Sequence, residues 1–236
     1  MTNFNPQNIL SKSTSAVEEA AIIRMAQKAR ELKADGHDVI SLTLGEPDFD
    51  TPEHIQQAAN KAIKDGFTHY APIPGMPQLR KALADKLKRE NNLDYSWSDI
   101  VVSNGAKQAL TNAIYATIDE GNEVILLAPY WVAYEGIIRM AGGVPVMVEA
   151  GIEDNFKAPA QRIKAAFSNK TKLLILNSPN NPTGAMFTAK ELQDIAEIVI
   201  EHNNMLVVSD EIYEYINFDE EHISICILYT SPSPRD

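Results

Sequence analysis

Apolar strands that alternate with helices are the feature that most limits how this chain can fold. Strand-like apolar runs occupy residues 123–129, 144–150, 171–179 and 205–213, and a shorter run, IVVSNG, starts at Ile100. Strands that are apolar along their whole length are buried on both faces, which requires helices on both sides of the sheet. The sequence therefore predicts an α/β fold with a mostly parallel sheet flanked by helices.

The segments between these runs have the apolar spacing of helices. Predicted helices cover residues 16–35, 51–65, 77–91, 106–118, 130–141, 159–168 and 188–203. A short strand is predicted at Val39–Leu44, and the prolines and glycine of residues 70–75 exclude regular structure there.

Composition excludes several classes of function. The formal net charge of −11 over 236 residues disfavours binding to nucleic acid. No apolar run is long enough to span a membrane, and the first ten residues do not resemble a signal peptide. The single cysteine, Cys226, excludes an internal disulfide, and the five histidines lack metal-ligand spacing. A cytoplasmic protein without a metal site is expected.

Small and polar residues follow the predicted strands at the ends where parallel sheets bind ligands. Gly105, Ala106 and Lys107 stand between a strand and a helix, where backbone N–H groups suit a phosphate. A simple tight turn explains this segment equally well. The bonds Ala128–Pro129 and Asn181–Pro182 lie at other strand ends, where a cis form is allowed.

Four side chains at these ends are candidate site residues, and three of them also have a structural interpretation. Asp210 suits a protonated pyridine nitrogen, although a lone Asp is more often a helix cap or an ion-pair partner. Trp131 suits stacking on a planar ring, although a core aromatic is the commoner case. Asn181 lies in a turn and can also donate to a ligand oxygen, and Tyr213 lies three residues after Asp210.

Six ordered segments together resemble one family. They are LTLGEPDFDTPEHI, THYAPIPGMPQLRKAL, VSNGAKQAL, APYWVAY, LNSPNNPTGAMF and VVSDEIYEYI, spread over about residues 10–223. This combination resembles the class I (fold type I) aminotransferases that depend on pyridoxal 5′-phosphate, and is most similar to the bacterial aspartate aminotransferase subgroup.

The resemblance implies a set of site residues. Cofactor-binding positions would be Tyr70, Gly105, Ala106, Lys107, Trp131, Asn181, Asp210 and Tyr213, and substrate-binding positions would be Gly45, Trp131 and Asn181.

Within this set, the resemblance gives each residue a role. Tyr70 would reach the cofactor phosphate of the neighbouring subunit in a homodimer, and the Gly45 backbone would contact the substrate carboxylate. Asp210 would pair with the pyridine nitrogen, while Asn181 and Tyr213 would bond the phenolic oxygen of the ring. The substrates would be an amino acid, aspartate or glutamate preferred, and a 2-oxo acid.

The family's Schiff-base lysine follows the SDEIY segment, and no lysine of this sequence matches it. The resemblance therefore predicts a C-terminally truncated member of the family, with no catalytic residue of its own and no activity. The longer protein of which it would be the first part is called the full-length parent. A carbon–sulfur lyase or synthase of the same fold, and a non-catalytic remnant that binds pyridoxal phosphate, are the alternatives.

Three regions are predicted. Residues 1–50 would form an N-terminal arm that belongs to a small domain, and residues 51–223 would form part of a large cofactor-binding domain. Residues 224–236, which leave the family pattern, would form a disordered tail.

Overall fold

The structure, a computed structural model, describes residues 9, 11–15, 21–43, 45–202, 204–218 and 221–228. Its helices are α1 (Lys12–Ser15), α2 (Ala21–Ala34), α3 (Glu53–Lys64), α4 (Pro77–Asn91), α5 (Ala106–Thr117), α6 (Ala133–Met140), α7 (Ala160–Ala165) and α8 (Ala189–Glu201). Its strands are β1 (Glu123–Ala128), β2 (Val144–Glu149), β3 (Thr171–Asn177) and β4 (Leu206–Asp210). None of the described helices is both long and apolar enough to cross a membrane.

The four strands form one sheet in the order β2-β1-β3-β4, and every pair is parallel. This confirms the predicted α/β class. Parallel pairing brings the carboxyl ends of all four strands to one edge, and the register places Asn177 beside Asp210 there.

Alternate residues of the strands pack into two separate cores, one on each face of the sheet. On the face we call the α5–α6 face, Val124, Leu126 and Ile175 pack with residues of α5 and α6. On the opposite, α7–α8 face, Ile125 and Leu174 pack with residues of α7 and α8. This follows from the two-residue side-chain period of a strand.

Helix α8 shows how local sequence builds this second core. Thr188 and Glu191 form a capping box, each side chain bonding to the backbone of the other residue. The helix then buries an apolar stripe with helical spacing, consisting of Leu192, Ile195, Ala196, Ile198 and Val199.

The chain divides into two compact units, one formed by residues 19–76 and the other by residues 1–18 with 77–236. This boundary differs from the one predicted at residues 50 and 51. In the unit of residues 19–76, α3 buries no side chain, and large apolar residues such as Ile55 and Ile63 are exposed.

Two predicted strands are wrong. The described residues 39–43 and the segment Ile100–Ser103 contain no strand, and residue 44 lies outside the described residues. The backbone at Ile100 is extended, with φ −100° and ψ 130°, but no described strand pairs with this segment. Extended sequence becomes a strand only when a neighbour completes its hydrogen bonds.

Residues 224–228, the first part of the predicted tail, contain a short helix. Ile225–Ile227 form a 3-10 helix whose N-cap, Ser224, accepts a bond from the Cys226 backbone. Ile225 is buried in the core of the α7–α8 face, so apolar burial orders this segment. Residues 229–236 lie outside the described residues.

Candidate functional site

The N-terminus of α5 is left without a side-chain cap. Gly105 is its N-cap residue, at φ 80°, and no side-chain hydrogen bond caps the helix. A positive φ favours glycine, and a side chain at this position would be strained. An uncapped N-terminus of a twelve-residue helix presents backbone N–H groups and a positive dipole end, which together suit an anion.

Asp210 is the last residue of β4, and its side chain is buried, with the residue 9% exposed. Its Oδ2 accepts a hydrogen bond of 2.6 Å from the Tyr134 hydroxyl, and its Oδ1 accepts a longer bond of 3.3 Å from the Ile212 backbone N–H. Tyr134 also packs edge-on against Trp131, with ring centroids 5.5 Å apart. The carboxylate and the aromatic ring are thus linked through one tyrosine.

A second group of side chains joins the β3 and β4 ends. Asn177 is buried and donates to the Asp210 carbonyl at 2.9 Å, while its own side-chain oxygen accepts the Asn181 N–H at 2.7 Å. Asn181 in turn donates to the Tyr213 hydroxyl at 3.2 Å. The two residues predicted to bind one ligand oxygen therefore lie in direct contact.

Lys107 places a cation in the same region. Its ammonium group lies 4.9 Å from the centroid of the Trp131 ring. Such an arrangement is a cation–π interaction and keeps the charge above the aromatic face. The α5 turn and the loop after β1 are thereby brought together.

A hydrogen bond joins two of the loops, and three peptide bonds in these loops are cis. Asn180 donates to the Pro129 carbonyl at 3.3 Å, which ties the loop after β3 to the loop after β1. The bonds preceding Pro129, Pro179 and Pro182 are cis, which includes both bonds noted in the sequence.

Gly45 and Tyr70 belong to the unit of residues 19–76, and both are exposed. Tyr70 is fully exposed. Their predicted roles toward substrate and neighbouring subunit remain predictions.

Residues 37–231 match the family model of the class I and II aminotransferases. The chain belongs to this family. The resemblance identified from the six segments is confirmed.

Similar proteins that are named as aminotransferases agree with this family assignment. The chain is 46% identical over 215 residues to the aspartate/prephenate aminotransferase of Thermus thermophilus, with 91% of this chain and 56% of that protein covered. It is 47% identical over 213 residues to a Rickettsia conorii protein named "Probable aspartate/prephenate aminotransferase", covering 90% of this chain and 53% of that protein. The chain thus spans about half the length of these relatives.

Solved aminotransferase structures have the same fold. The aspartate aminotransferase from Thermus thermophilus with maleate superposes with a TM-score of 0.90 at 45% identity, over 93% of this chain and 57% of that chain. An alanine aminotransferase from Pyrococcus furiosus gives a TM-score of 0.87 at 36% identity, over 92% of this chain and 55% of that chain. The partial coverage agrees with a large domain of the aminotransferase fold that is incomplete in this chain.

The sequence analysis overlooked two residues of this candidate site, Tyr134 and Asn177. Asn177 could have been predicted, because it is the last residue of an apolar strand and parallel pairing places it beside Asp210. Tyr134 could not have been predicted from more than its place in the APYWVAY segment, since helical spacing alone predicts an ordinary core residue.

Proposed function

We propose that this chain is part of a pyridoxal phosphate-dependent aminotransferase that moves an amino group between an amino acid and a 2-oxo acid. The observation that carries the proposal is the buried carboxylate of Asp210 at the end of β4, linked by Tyr134 to the aromatic ring of Trp131. A buried carboxylate with unsaturated acceptor capacity suits a cationic partner.

The residues present fit the chemical parts of pyridoxal phosphate. The uncapped start of α5, at Gly105, Ala106 and Lys107, suits the phosphate. Trp131 offers a face for the ring, and Asp210 offers an oxygen for the protonated ring nitrogen. Asn181 and Tyr213, which contact each other at 3.2 Å, suit the phenolic oxygen of the ring.

When bound, pyridoxal phosphate supplies an electron sink for the electrons released at the substrate's α-carbon. Asp210 would hold the proton on the ring nitrogen through its negative charge. Because this carboxylate is buried, its charge acts in a medium of low dielectric constant and needs no rearrangement of water. Asn181 and Tyr213 would orient the ring through its phenolic oxygen, and Trp131 would exclude water from one face.

The substrate is proposed to be acidic, with aspartate or glutamate preferred. The Lys107 ammonium above the Trp131 ring supports this, because a cation beside the aromatic face suits a second carboxylate on the substrate. The Thermus and Rickettsia relatives are named for aspartate and prephenate, which are both dicarboxylic, and this supports the same proposal. Gly45 would contact the other carboxylate through its backbone, and Asn181 would assist.

The full-length parent is proposed to act as a homodimer. Tyr70 is fully exposed, as expected of a residue that would reach the phosphate of a neighbouring subunit. We also propose that these 236 residues alone do not catalyse, because no lysine matches the family's Schiff-base position. Treating the chain with pyridoxal phosphate and borohydride should give no uniquely modified lysine by mass spectrometry, and modification at one site in each chain would contradict this.

Removal of the Asp210 carboxylate tests the proposed function. In the full-length parent, Asp210→Ala should lower kcat/KM for aspartate by about a thousandfold or more, equivalent to roughly 4 kcal/mol at the transition state. Asp210→Glu, which keeps the charge, should retain part of the activity. Steady-state kinetics with aspartate and 2-oxoglutarate measure both.

Asp194→Ala is the matched control, because Asp194 is an aspartate of α8 paired with exposed Lys190 rather than a site residue. It should leave kcat/KM unchanged. Near-normal turnover of Asp210→Ala would remove the basis of the proposal.

A further inference from the structure

The side chain of Tyr134 touches two side chains of the proposed ring site, Asp210 and Trp131. It is 1% exposed, its hydroxyl lies 2.6 Å from Asp210 Oδ2, and its ring packs edge-on against Trp131. Residues 134 and 210 are far apart in sequence, on α6 and β4, so the bond joins two elements of the fold. No role for Tyr134 follows from the functional assignments above.

The direction of this hydrogen bond is fixed by protonation. Burial, followed by the hydrogen bond to Asp210, raises the pKa of the Tyr134 phenol well above its usual value. The phenol therefore keeps its proton at neutral pH and donates it to the carboxylate. This short bond holds Oδ2 more firmly than the longer bond holds Oδ1.

The other oxygen, Oδ1, is held more weakly. Among the hydrogen bonds of the described residues, Oδ1 accepts one bond, from the Ile212 backbone N–H at 3.3 Å. This exceeds the usual N–H···O distance of about 2.9–3.0 Å. A carboxylate oxygen has lone pairs for two hydrogen bonds, so Oδ1 retains capacity for a cationic donor.

We propose that Tyr134 is a positioning residue that fixes the Asp210 carboxylate through Oδ2 and leaves the more weakly held Oδ1 for the protonated ring nitrogen of the cofactor. This inference rests on the proposed function and deepens it. Without the phenol donor, the Asp210 carboxylate loses its one short hydrogen bond and is free to turn away from the ring nitrogen. A carboxylate that has turned away stabilises a proton on the ring nitrogen less well, because the attraction weakens with distance.

The test is a pH titration of that nitrogen in the full-length parent. Pyridoxamine 5′-phosphate labelled with ¹⁵N in the ring is bound to each variant, and its ¹⁵N chemical shift is followed against pH. This readout needs no turnover. Tyr134→Phe, which removes only the hydroxyl, should lower the pH at which the nitrogen loses its proton by about one unit. An unchanged titration would overturn the inference.

Two further variants separate this inference from the proposed function. Asp210→Asn should lower the nitrogen titration by more than Tyr134→Phe, and adding Tyr134→Phe to Asp210→Asn should give no further change, since the phenol acts through the carboxylate. If Asp210→Asn leaves the titration unchanged, the proposed function fails. If Asp210→Asn shifts it and Tyr134→Phe does not, only the role of Tyr134 fails.

Tyr130→Phe is the matched control for loss of a phenol. Tyr130 also donates to a carboxylate, Glu135 Oε2 at 3.2 Å, but does not bond to Asp210. It should leave the nitrogen titration unchanged, and a shift equal to that of Tyr134→Phe would count against a specific role for Tyr134.

An isosteric variant keeps the inference testable if Tyr134→Phe does not fold. Replacing Tyr134 by 4-aminophenylalanine retains the ring and a weaker donor at the same position. The titration should then shift in the same direction by a smaller amount, and no shift would overturn the inference.

Discussion

Asp210 and Glu211 are neighbours at the end of β4, yet they serve opposite faces of the sheet. Asp210 bonds to Tyr134 on the α5–α6 face, with one oxygen weakly held. The side chain of Glu211 meets the segment that contains His222 and Ser224, and Ile225 of that segment is buried in the core of the α7–α8 face.

The two carboxylates differ in how completely they are bonded. Glu211 Oε1 accepts the hydroxyls of Ser209 and Ser224, each at 2.6 Å, and Oε2 lies 3.0 Å from His222 Nε2. A carboxylate with three such bonds has little acceptor capacity left for a ligand and fixes the chain instead. A partly bonded one can bind. The difference teaches that the face with the candidate site is recognised by the hydrogen-bonding capacity that its polar groups leave unused.

The helix N-termini repeat this contrast. On the α7–α8 face, α8 is closed by the capping box of Thr188 and Glu191, and Glu191 is further paired with Lys157 at 2.8 Å. On the other face, α5 begins at Gly105 with no side-chain cap. One N-terminus is satisfied by the protein itself, and the other is open to an anion.

The largest expected effect comes from exchanging each carboxylate for its amide. Glu211→Gln should lower the free energy of unfolding by about 2–3 kcal/mol, because it disrupts a largely buried group bonded to three donors. Asp210→Asn should lower it by about 1 kcal/mol or less, since it disturbs one short bond. Urea denaturation of the full-length parent measures both. Equal losses would break the comparison between the two faces.

The pH dependence of stability should follow Glu211. Burial alone would raise its pKa, but hydrogen bonds from His222, Ser209 and Ser224 outweigh burial, and the pKa of Glu211 is lowered. Its stabilising contribution is therefore complete above the unfolded value of about 4.3 and is lost as the pH falls through the lowered folded value.

Unfolding free energies measured between pH 7 and pH 3 should accordingly fall less steeply in Glu211→Gln than in the parent. Glu197, an exposed-face glutamate of α8 that accepts from Gln193, supplies the control. Glu197→Gln should keep the steep acid dependence, and an unchanged slope in Glu211→Gln would show that Glu211 is not its source.

The smallest expected effect concerns the two helix N-termini. Thr188→Ala removes the side-chain cap of α8 and should cost about 1 kcal/mol of unfolding free energy without changing affinity for pyridoxamine 5′-phosphate. Gly105→Ala should weaken that affinity, because a side chain at φ 80° strains the backbone that presents the N–H groups. Thermal unfolding and fluorescence titration in the full-length parent separate the two outcomes. Loss of cofactor affinity in Thr188→Ala would contradict the proposed difference between the two helix N-termini.

Elements with strong periodicity were predictable from the sequence. α4 was predicted at residues 77–91 and observed at Pro77–Asn91, and the four long apolar runs became the four parallel strands. These predictions are correct because the apolar pattern of each segment depends only on which of its own residues are buried. The segment at Ile100–Ser103 fails for the complementary reason, since its pattern says nothing about whether a partner strand lies beside it.

The site divides in the same way. The sequence indicated Asp210, Trp131, Asn181 and Tyr213 because polar and aromatic residues follow apolar strands. Their contacts were not predictable, because the bond between Tyr134 and Asp210 and the bond between Asn181 and Tyr213 join residues that are distant along the chain.

By itself the sequence determined the family, the α/β class and the residues at the carboxyl ends of the strands, because these depend on residue type and local spacing. The tertiary structure alone decided which carboxylate is left with a weakly held oxygen. Asp210 and Glu211 are adjacent acidic residues, and local sequence does not distinguish them. Only packing against α6 on one face, and against residues 222–225 on the other, gives one carboxylate a single short bond and the other three.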